Sequence, residues 1–236
     1  MYTFQSKVRY SELDAEKKLS IAAIVDYFQD CSTFQSEALG VGIEYLESLG
    51  MLWVMSYWQI VIDRYPRLCE NITVGTFPYD FKGFMGLRNF FIEDEAGEQI
   101  VRANSIWTLM DLKAGRPGRP PERMRDAYVI EERLPMDYEP RKIVLSGEGK
   151  TQLSFCVGRQ HLDSNHHVNN GQYVYMAQDY LPEGFEIGQM RAEYKKSALL
   201  HDRITPVVYE EDGRTGVSLC GDDGQPYAVI EFKRKI

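Results

Sequence analysis

The sequence predicts an α+β protein built from two copies of one module, each a long helix wrapped by a curved antiparallel sheet. Three features carry that prediction: an internal duplication, a helical apolar stripe near the start of each copy, and four strand-like runs after each stripe.

The duplication comes first because it decides how everything else aligns. Leu13-Asp14-Ala15-Glu16-Lys17-Lys18-Leu19 stands 149 residues before Leu162-Asp163-Ser164-Asn165-His166-His167-Val168, and the same spacing sets Val25 on Val174, Gln29 on Gln178 and Asp30 on Asp179. Further on, Glu70-Asn71-Ile72-Thr73 matches Asp202-Arg203-Ile204-Thr205 at a spacing of 132, and Glu95-Ala96-Gly97-Glu98 then matches Asp222-Asp223-Gly224-Gln225. The identities are few, but their order holds over a whole domain length.

Each copy reads the same way locally. Met1 to Tyr10 is a polar-flanked strand. Ser20 can cap a helix whose apolar residues Ile21, Ile24, Val25, Phe28 and Cys31 recur at helical spacing, with Gly40 as its stop. Strand-like runs follow at Trp53 to Ile62, Ile72 to Tyr79, Gly86 to Ile92 and Ile100 to Met110, with a hairpin turn at Glu95 to Glu98. In the second copy Tyr173, Val174, Ala177 and Tyr180 mark the helix. Its strands run from Met190 to Lys195, Ile204 to Tyr209, Thr215 to Cys220 and Tyr227 to Lys233, turning at Glu211-Asp212-Gly213 and Asp222-Asp223-Gly224. A sheet of this kind buries one face by curling around its helix, which is the architecture of a tandem double hotdog. Lys113 to Pro121 holds three prolines and two glycines and reads as a linker. The domain boundary is placed near residue 140, giving an N-terminal hotdog plus linker at 1–140 and a C-terminal hotdog at 141–236.

Composition narrows the function classes. With 236 residues, 44% of them apolar, the chain can bury one large core or two small ones. No apolar run approaches the ~18 residues of a spanning helix, and the N-terminal segment lacks the pattern of a secretory or transit leader, so a cytoplasmic protein with no membrane span is expected. Cys31, Cys69, Cys156 and Cys220 form no CxxC pair and are expected as free thiols. A net charge of −8 argues against a nucleic-acid partner. Lys113, Arg116, Arg119, Arg123 and Arg125 nevertheless cluster with only Glu122 among them, a patch for an acidic partner or a solvated stretch.

The chemistry concentrates at Arg159 to Asn170, which holds three of the four histidines just before the second helix. A helix N-terminus offers unpaired N–H groups and partial positive charge to an oxyanion. The repeat supplies an internal control: the first copy keeps Asp14 but has Glu16 and Lys18 where the second has Asn165 and His167. One competent and one degenerate site is the economical reading. His161, His166 and His167 lack a second ligand cluster at zinc spacing, so neither a metal nor another cofactor is expected.

Leu162-Asp163-Ser164-Asn165-His166-His167-Val168-Asn169-Asn170, with Tyr173 after it and Arg159 before it, closely resembles the signature of the acyl-ACP thioesterases. Trp53-Val54, Asp63-Arg64-Tyr65-Pro66, Arg102 to Trp107 and Glu193-Tyr194-Lys195-Lys196 resemble further segments of that family in the right order. The resemblance implies hydrolysis of fatty acyl-ACP by a bacterial-type enzyme, with Asp163, Asn165 and His167 as the catalytic residues. Asp163 would serve as base or as attacking carboxylate, and His167 as proton carrier. Backbone or side chains of Asn169, Asn170 and Gly171 would complete an oxyanion hole. Plant members carry a Glu-Cys pair where this chain has Ser197-Ala198, so either Asp163, Asn165 and His167 suffice or Glu193 or Ser197 supplies the missing support; the degenerate first copy would bind the acyl chain. The implied partner is an acyl carrier protein bearing a fatty acyl-phosphopantetheine, docked on Arg116, Arg119, Arg123 and Arg125, with the enzyme a monomer or homodimer. An acyl-CoA thioesterase, a hotdog hydratase and a non-catalytic acyl-thioester sensor are the competing functions.

Overall fold

The computed structural model describes residues 1–235, which divide into two units: residues 1–56 with 62–138, and residues 57–61 with those from Glu139 onward. The first unit contains β1 (Tyr2–Lys7), α1 (Ile21–Ala38), α2 (Ile43–Leu49), β2 (Met51–Ile62), β3 (Asn71–Lys82), β4 (Met85–Glu93), β5 (Gln99–Asp111), β6 (Arg116–Pro117) and α3 (Glu122–Ala127). The stretch Tyr57–Val61 of β2 belongs to the second unit. Strands order as β1-β3-β4-β5-β2, antiparallel from β1 through β5, with β6 folded back on the end of β5.

The Ser20 hydroxyl accepts the Ala23 N–H at 3.2 Å and so starts α1 where the sequence predicts. Ile21, Ile24, Val25, Phe28 and Cys31 are all buried. Phe28 meets Phe90 of β4 with ring centroids 5.1 Å apart, so the helix lies on the even-numbered face of that strand. The odd-numbered face is covered too: Phe91 packs with Phe77 and Leu134. The segment carrying Leu134 is held by Asn89, whose Oδ1 accepts the Leu134 N–H at 3.1 Å and the Tyr138 hydroxyl at 3.0 Å. Phe91 also explains Gly75 on the neighbouring strand, where a Cβ would sit 2.0 Å from its ring.

Lys113 to Pro121, expected as a linker, is instead part of the first unit. β6 pairs with the end of β5, the Gly118 N–H donates to the Leu109 carbonyl at 2.9 Å, and α3 follows directly. The prolines and glycines bend a hairpin and start a helix here, with Met124 of α3 buried against Val41, Leu46, Leu109 and Tyr128.

The second unit contains β7 (Lys150–Thr151), β8 (Phe155–Cys156), α4 (Asn170–Gln178), β9 (Ile187–Tyr194), β10 (Arg203–Glu211), β11 (Arg214–Cys220) and β12 (Pro226–Arg234). Its strands order as β9-β12-β11-β10-β7, with β8 on β10 and Tyr57–Val61 beside β9. α4 has 9 residues against the 18 of α1, and Tyr180, expected within it, lies beyond its end. Pro182 and the left-handed Gly184 (φ +69) close off a longer helix. Among the described residues no helix is long and apolar enough to cross a membrane.

The duplication is visible bond by bond. In the first unit the Asp14 N–H donates to the Lys18 carbonyl at 2.8 Å, and Asp14 Oδ1 accepts the N–H groups of Glu16 at 3.0 Å and Lys18 at 2.9 Å. In the second, the Asp163 N–H donates to the His167 carbonyl at 2.8 Å, and Asp163 Oδ1 accepts those of Asn165 at 2.8 Å and His167 at 3.1 Å. Both turns need one left-handed residue, Lys17 (φ 61) and His166 (φ 62). Asp14→Ala removes the acceptor of two backbone donors, one exposed and one half-buried, and should lower unfolding free energy by about 0.5–1.5 kcal/mol, read by urea denaturation; Asp14→Asn, which keeps the oxygen, should cost less. Equal stability of wild type and Asp14→Ala would refute this role.

Candidate active site

The turn before α4 brings Asp163, Asn165 and His167 together within five residues, on alternate positions. Leu162 and Val168 close it as an isolated antiparallel bridge. Asn165 is exposed and His167 half-buried. Asp163 spends Oδ1 on its own turn, which leaves Oδ2 as the oxygen not committed to those two N–H groups. His166, in the left-handed conformation, is exposed. His161 has a structural task, its Nδ1 accepting the Gly158 N–H at 3.0 Å.

Two of the three N–H groups expected to form an oxyanion hole at the helix N-terminus are already bonded. The Asn169 N–H donates to the His161 carbonyl at 2.9 Å, and the Gly171 N–H to the Asn169 side chain at 2.8 Å. Asn169 is thus the N-cap of α4, and these two donors are already used. Asn170 opens the helix, its carbonyl accepting the Tyr194 hydroxyl at 3.0 Å.

Glu193 is also elsewhere than expected. Tyr194 faces α4, where it meets Tyr173 edge-on with ring centroids 5.9 Å apart. Strand alternation therefore sends Glu193 to the opposite face, where its Oε2 accepts the Ile143 N–H at 3.1 Å and Lys195 lies 3.0 Å from its Oε1. Ser197 does lie by the turn. It is exposed, and its neighbour Ala198, fully buried, accepts the Val168 N–H at 3.0 Å through its carbonyl.

Two features go further than the sequence reading, in which Tyr173 marks the second helix and first-copy aromatics such as Trp53 and Phe81 are core or line a tunnel for an acyl chain. Tyr173, buried in α4, accepts the Ala198 N–H at 2.8 Å with its hydroxyl. Burial, more than the nearby Tyr227, Asp202 and Asp163, pushes its phenol up from the ordinary tyrosine range, so it stays protonated in working conditions. The second feature is a cavity of about 170 Å³ within the first unit, lined among others by Ile43, Leu46, Trp53, Phe81, Trp107 and Tyr128. Its wall also includes Arg88, whose guanidinium is held by Gln35 and by Thr76 at 3.1 Å and stacks on Tyr128; burial pulls its pKa down. Helical and strand spacing marks these side chains only as core, and their arrangement around a void is a three-dimensional property.

Arg116, Arg119, Arg123 and Arg125 are all exposed on β6, α3 and the segment between them. Arg123 stacks on Tyr45 at 4.8 Å. The four cysteines are free, and burial pushes the Cys31 thiol up to about 12, where it is inert. Among the described residues no group of three or more His, Cys, Asp or Glu side chains is arranged to hold a metal ion.

Comparison with known proteins bears on this arrangement. The family model described as the acyl-ACP thioesterase N-terminal domain matches residues 1–128, and that of the acyl-ACP thioesterase C-terminal domain matches residues 146–232. The chain is 24% identical over 230 residues to a chloroplastic acyl-[acyl-carrier-protein] hydrolase of Cuphea viscosissima, covering 89% of this chain and 54% of that one. It is 25% identical over 208 residues to the chloroplastic palmitoyl-acyl carrier protein thioesterase of Gossypium hirsutum, covering 80% and 50%. The chain thus spans about half the length of these curated relatives. Among solved structures, an acyl-ACP thioesterase from Bacteroides thetaiotaomicron superposes with a TM-score of 0.91 at 20% identity, over 99% of this chain and 97% of that one. The 12:0-ACP thioesterase from Umbellularia californica superposes with a TM-score of 0.82 at 18% identity, over 99% and 96%. At such identities the likeness establishes the shared fold, the tandem double hotdog.

Proposed function

The chain belongs to the acyl-ACP thioesterase family, and from that premise we propose that it hydrolyses the thioester between a fatty acyl chain and the phosphopantetheine of an acyl carrier protein. The observation that carries this reading is the contrast between two turns of one geometry. Both are built on an aspartate, yet only the second bears an amide two residues on and an imidazole four residues on.

Asp163 is held by two backbone N–H groups through Oδ1, so Oδ2 meets the attacking water in a fixed orientation. His167 removes the proton as water adds to the thioester carbonyl, and the Asn165 amide donates to the oxyanion that forms. The tetrahedral adduct collapses with cleavage of the C–S bond. The pantetheine sulfur leaves with the proton returned by His167, and the fatty acid is released. The scheme uses no cysteine nucleophile, since none of Cys31, Cys69, Cys156 and Cys220 lies in the turn that carries Asp163, Asn165 and His167. The first unit, with its turn reduced to Glu16 and Lys18, binds the alkyl chain in the cavity lined by Leu46, Trp53, Phe81 and Trp107. Exposed Arg116, Arg119, Arg123 and Arg125 attract the acidic carrier protein.

Fatty acid released from a series of acyl-ACPs tests the reaction. Wild type should cleave them, and His167→Ala should be slower by roughly 10²–10⁴, the usual weight of general acid–base catalysis. Undiminished hydrolysis by the variant would remove His167 from the chemistry, and tight binding without release by either protein would make the chain a sensor. Leu46→Trp should shift the preference toward shorter chains, with each methylene excluded weakening binding about fourfold, from ~0.8 kcal/mol of lost burial. An unchanged chain-length profile would place the acyl group outside this cavity. Replacing Arg119, Arg123 and Arg125 together by Glu should raise KM for acyl-ACP roughly tenfold, with little effect on acyl-CoA and a smaller effect in high salt. Equal effects on both substrates would sink the docking surface.

A further inference from the structure

The two copies can be compared at the segment that lies beside each turn. In the first unit the Leu19 N–H donates to the Pro66 carbonyl at 2.8 Å; in the second, the Val168 N–H donates to the Ala198 carbonyl at 3.0 Å. Pro66 and Ala198 therefore occupy the same place. Proline has no N–H, and the helix residue at the first-unit position matching Tyr173 is Ile24, fully buried and without a polar atom in its side chain. Alanine has an N–H, and the second unit supplies its acceptor in the Tyr173 hydroxyl at 2.8 Å. Two residues from different elements have thus changed together. The position before each also differs: Tyr65 lies under the Lys18 ammonium at 5.7 Å, whereas its counterpart Ser197 is small and exposed.

We infer that Tyr173 is a positioning residue for thioester hydrolysis, its hydroxyl clamping the Ser197-Ala198 segment so that the turn bearing Asp163, Asn165 and His167 is held at a fixed height above α4. This inference rests on the hydrolase reading given above. Ala198 is the middle of the clamp. Its N–H is tied to the helix and its carbonyl to Val168, the residue after His167. The Asp163 turn shapes itself through its own carboxylate, as does the Asp14 turn, but that bonding is internal and does not set where the turn sits. The Tyr173 bond does, and it is found only in the copy that carries His167. Tyr173 is protonated and buried, so it takes no part in proton transfer. Removing its oxygen should misplace the catalytic groups without altering their identity, and displacements of that kind slow the chemical step more than binding.

The test compares wild type, His167→Ala, Tyr173→Phe and the double variant Tyr173→Phe/Ala198→Pro, using the acyl-ACP that wild type cleaves best. Tyr173→Phe should lower kcat roughly ten- to a hundredfold with KM within about twofold, and amide exchange at Ala198 should accelerate. The double variant leaves no unpaired N–H, as in the first unit, so it should recover thermal stability but not kcat. Should Tyr173→Phe fail to fold, the double variant alone carries the test through its kcat. Either variant turning over at the wild-type rate overturns the inference, because the hydroxyl would then serve only to satisfy a buried donor. That failure is distinct from failure of the hydrolase reading, in which wild type itself releases no fatty acid and both conclusions fall together.

Discussion

A carboxylate that gathers the N–H groups of its own turn is the interaction on which both halves of this protein depend. Asp14 and Asp163 each accept two backbone donors through one oxygen and bring the chain into its helix in the same conformation, left-handed residue included. Because the bonding is to backbone, it places no demand on the side chains two and four residues later. Those positions are free to differ, and they do: Glu16 and Lys18 in one copy, Asn165 and His167 in the other. Asp163 is in this way structural and available for chemistry at once, one oxygen for each task.

The two units diverge around that common device, the first toward an apolar cavity and the second toward paired polar groups. The first has the longer helix and adds α2 and α3, whose apolar residues build a second cluster beside the cavity. The walls contributed by Leu46, Trp53, Phe81 and Trp107 suit an apolar occupant, which would add dispersion contacts there. The second unit has a short helix and a more polar outer sheet face. There Arg191 and Arg214 both pair with Glu231, which is almost wholly buried, and Arg191 also reaches Glu139. Glu193 belongs to this side of the sheet, bonded to Ile143 and Lys195, which is why it stands apart from the turn at Asp163.

The departures from sequence-based expectation have specific causes. Glu193 is expected to support the site in place of a missing carboxylate, but a strand reverses face at every residue, and the side chain that looks at α4 is Tyr194. Asn169 and Gly171 sit at a helix N-terminus, where free donors are expected, yet the Asn169 side chain caps its own helix and uses the Gly171 N–H. Prolines and glycines from Lys113 to Pro121 have the composition of a linker, and they form a hairpin end and a helix start because Met124 has a pocket of apolar neighbours to fill. For Glu193 and the proline-rich segment local composition was compatible with two outcomes, and a contact distant in sequence selected one; for Gly171 the selecting bond is local, from a side chain two residues back.

By itself the sequence determined the α+β class, the duplication, the helix starting at Ser20, the strands of both copies and the identity of the turn with Asp163, Asn165 and His167. Those properties are written in short-range patterns: helical and strand periodicity, capping side chains, turn residues and a repeat that can be aligned by eye. Tertiary structure alone decided which partners Glu193 met, where a cavity remained and that Tyr173 met Ala198. These depend on groups far apart in the chain competing for one hydrogen bond or one volume, and such competition has no signature in local spacing. The pair Tyr173 and Ala198 lies between the two cases, since Ile24 and Pro66 in the first copy hold its trace, legible once the fold has shown which positions touch.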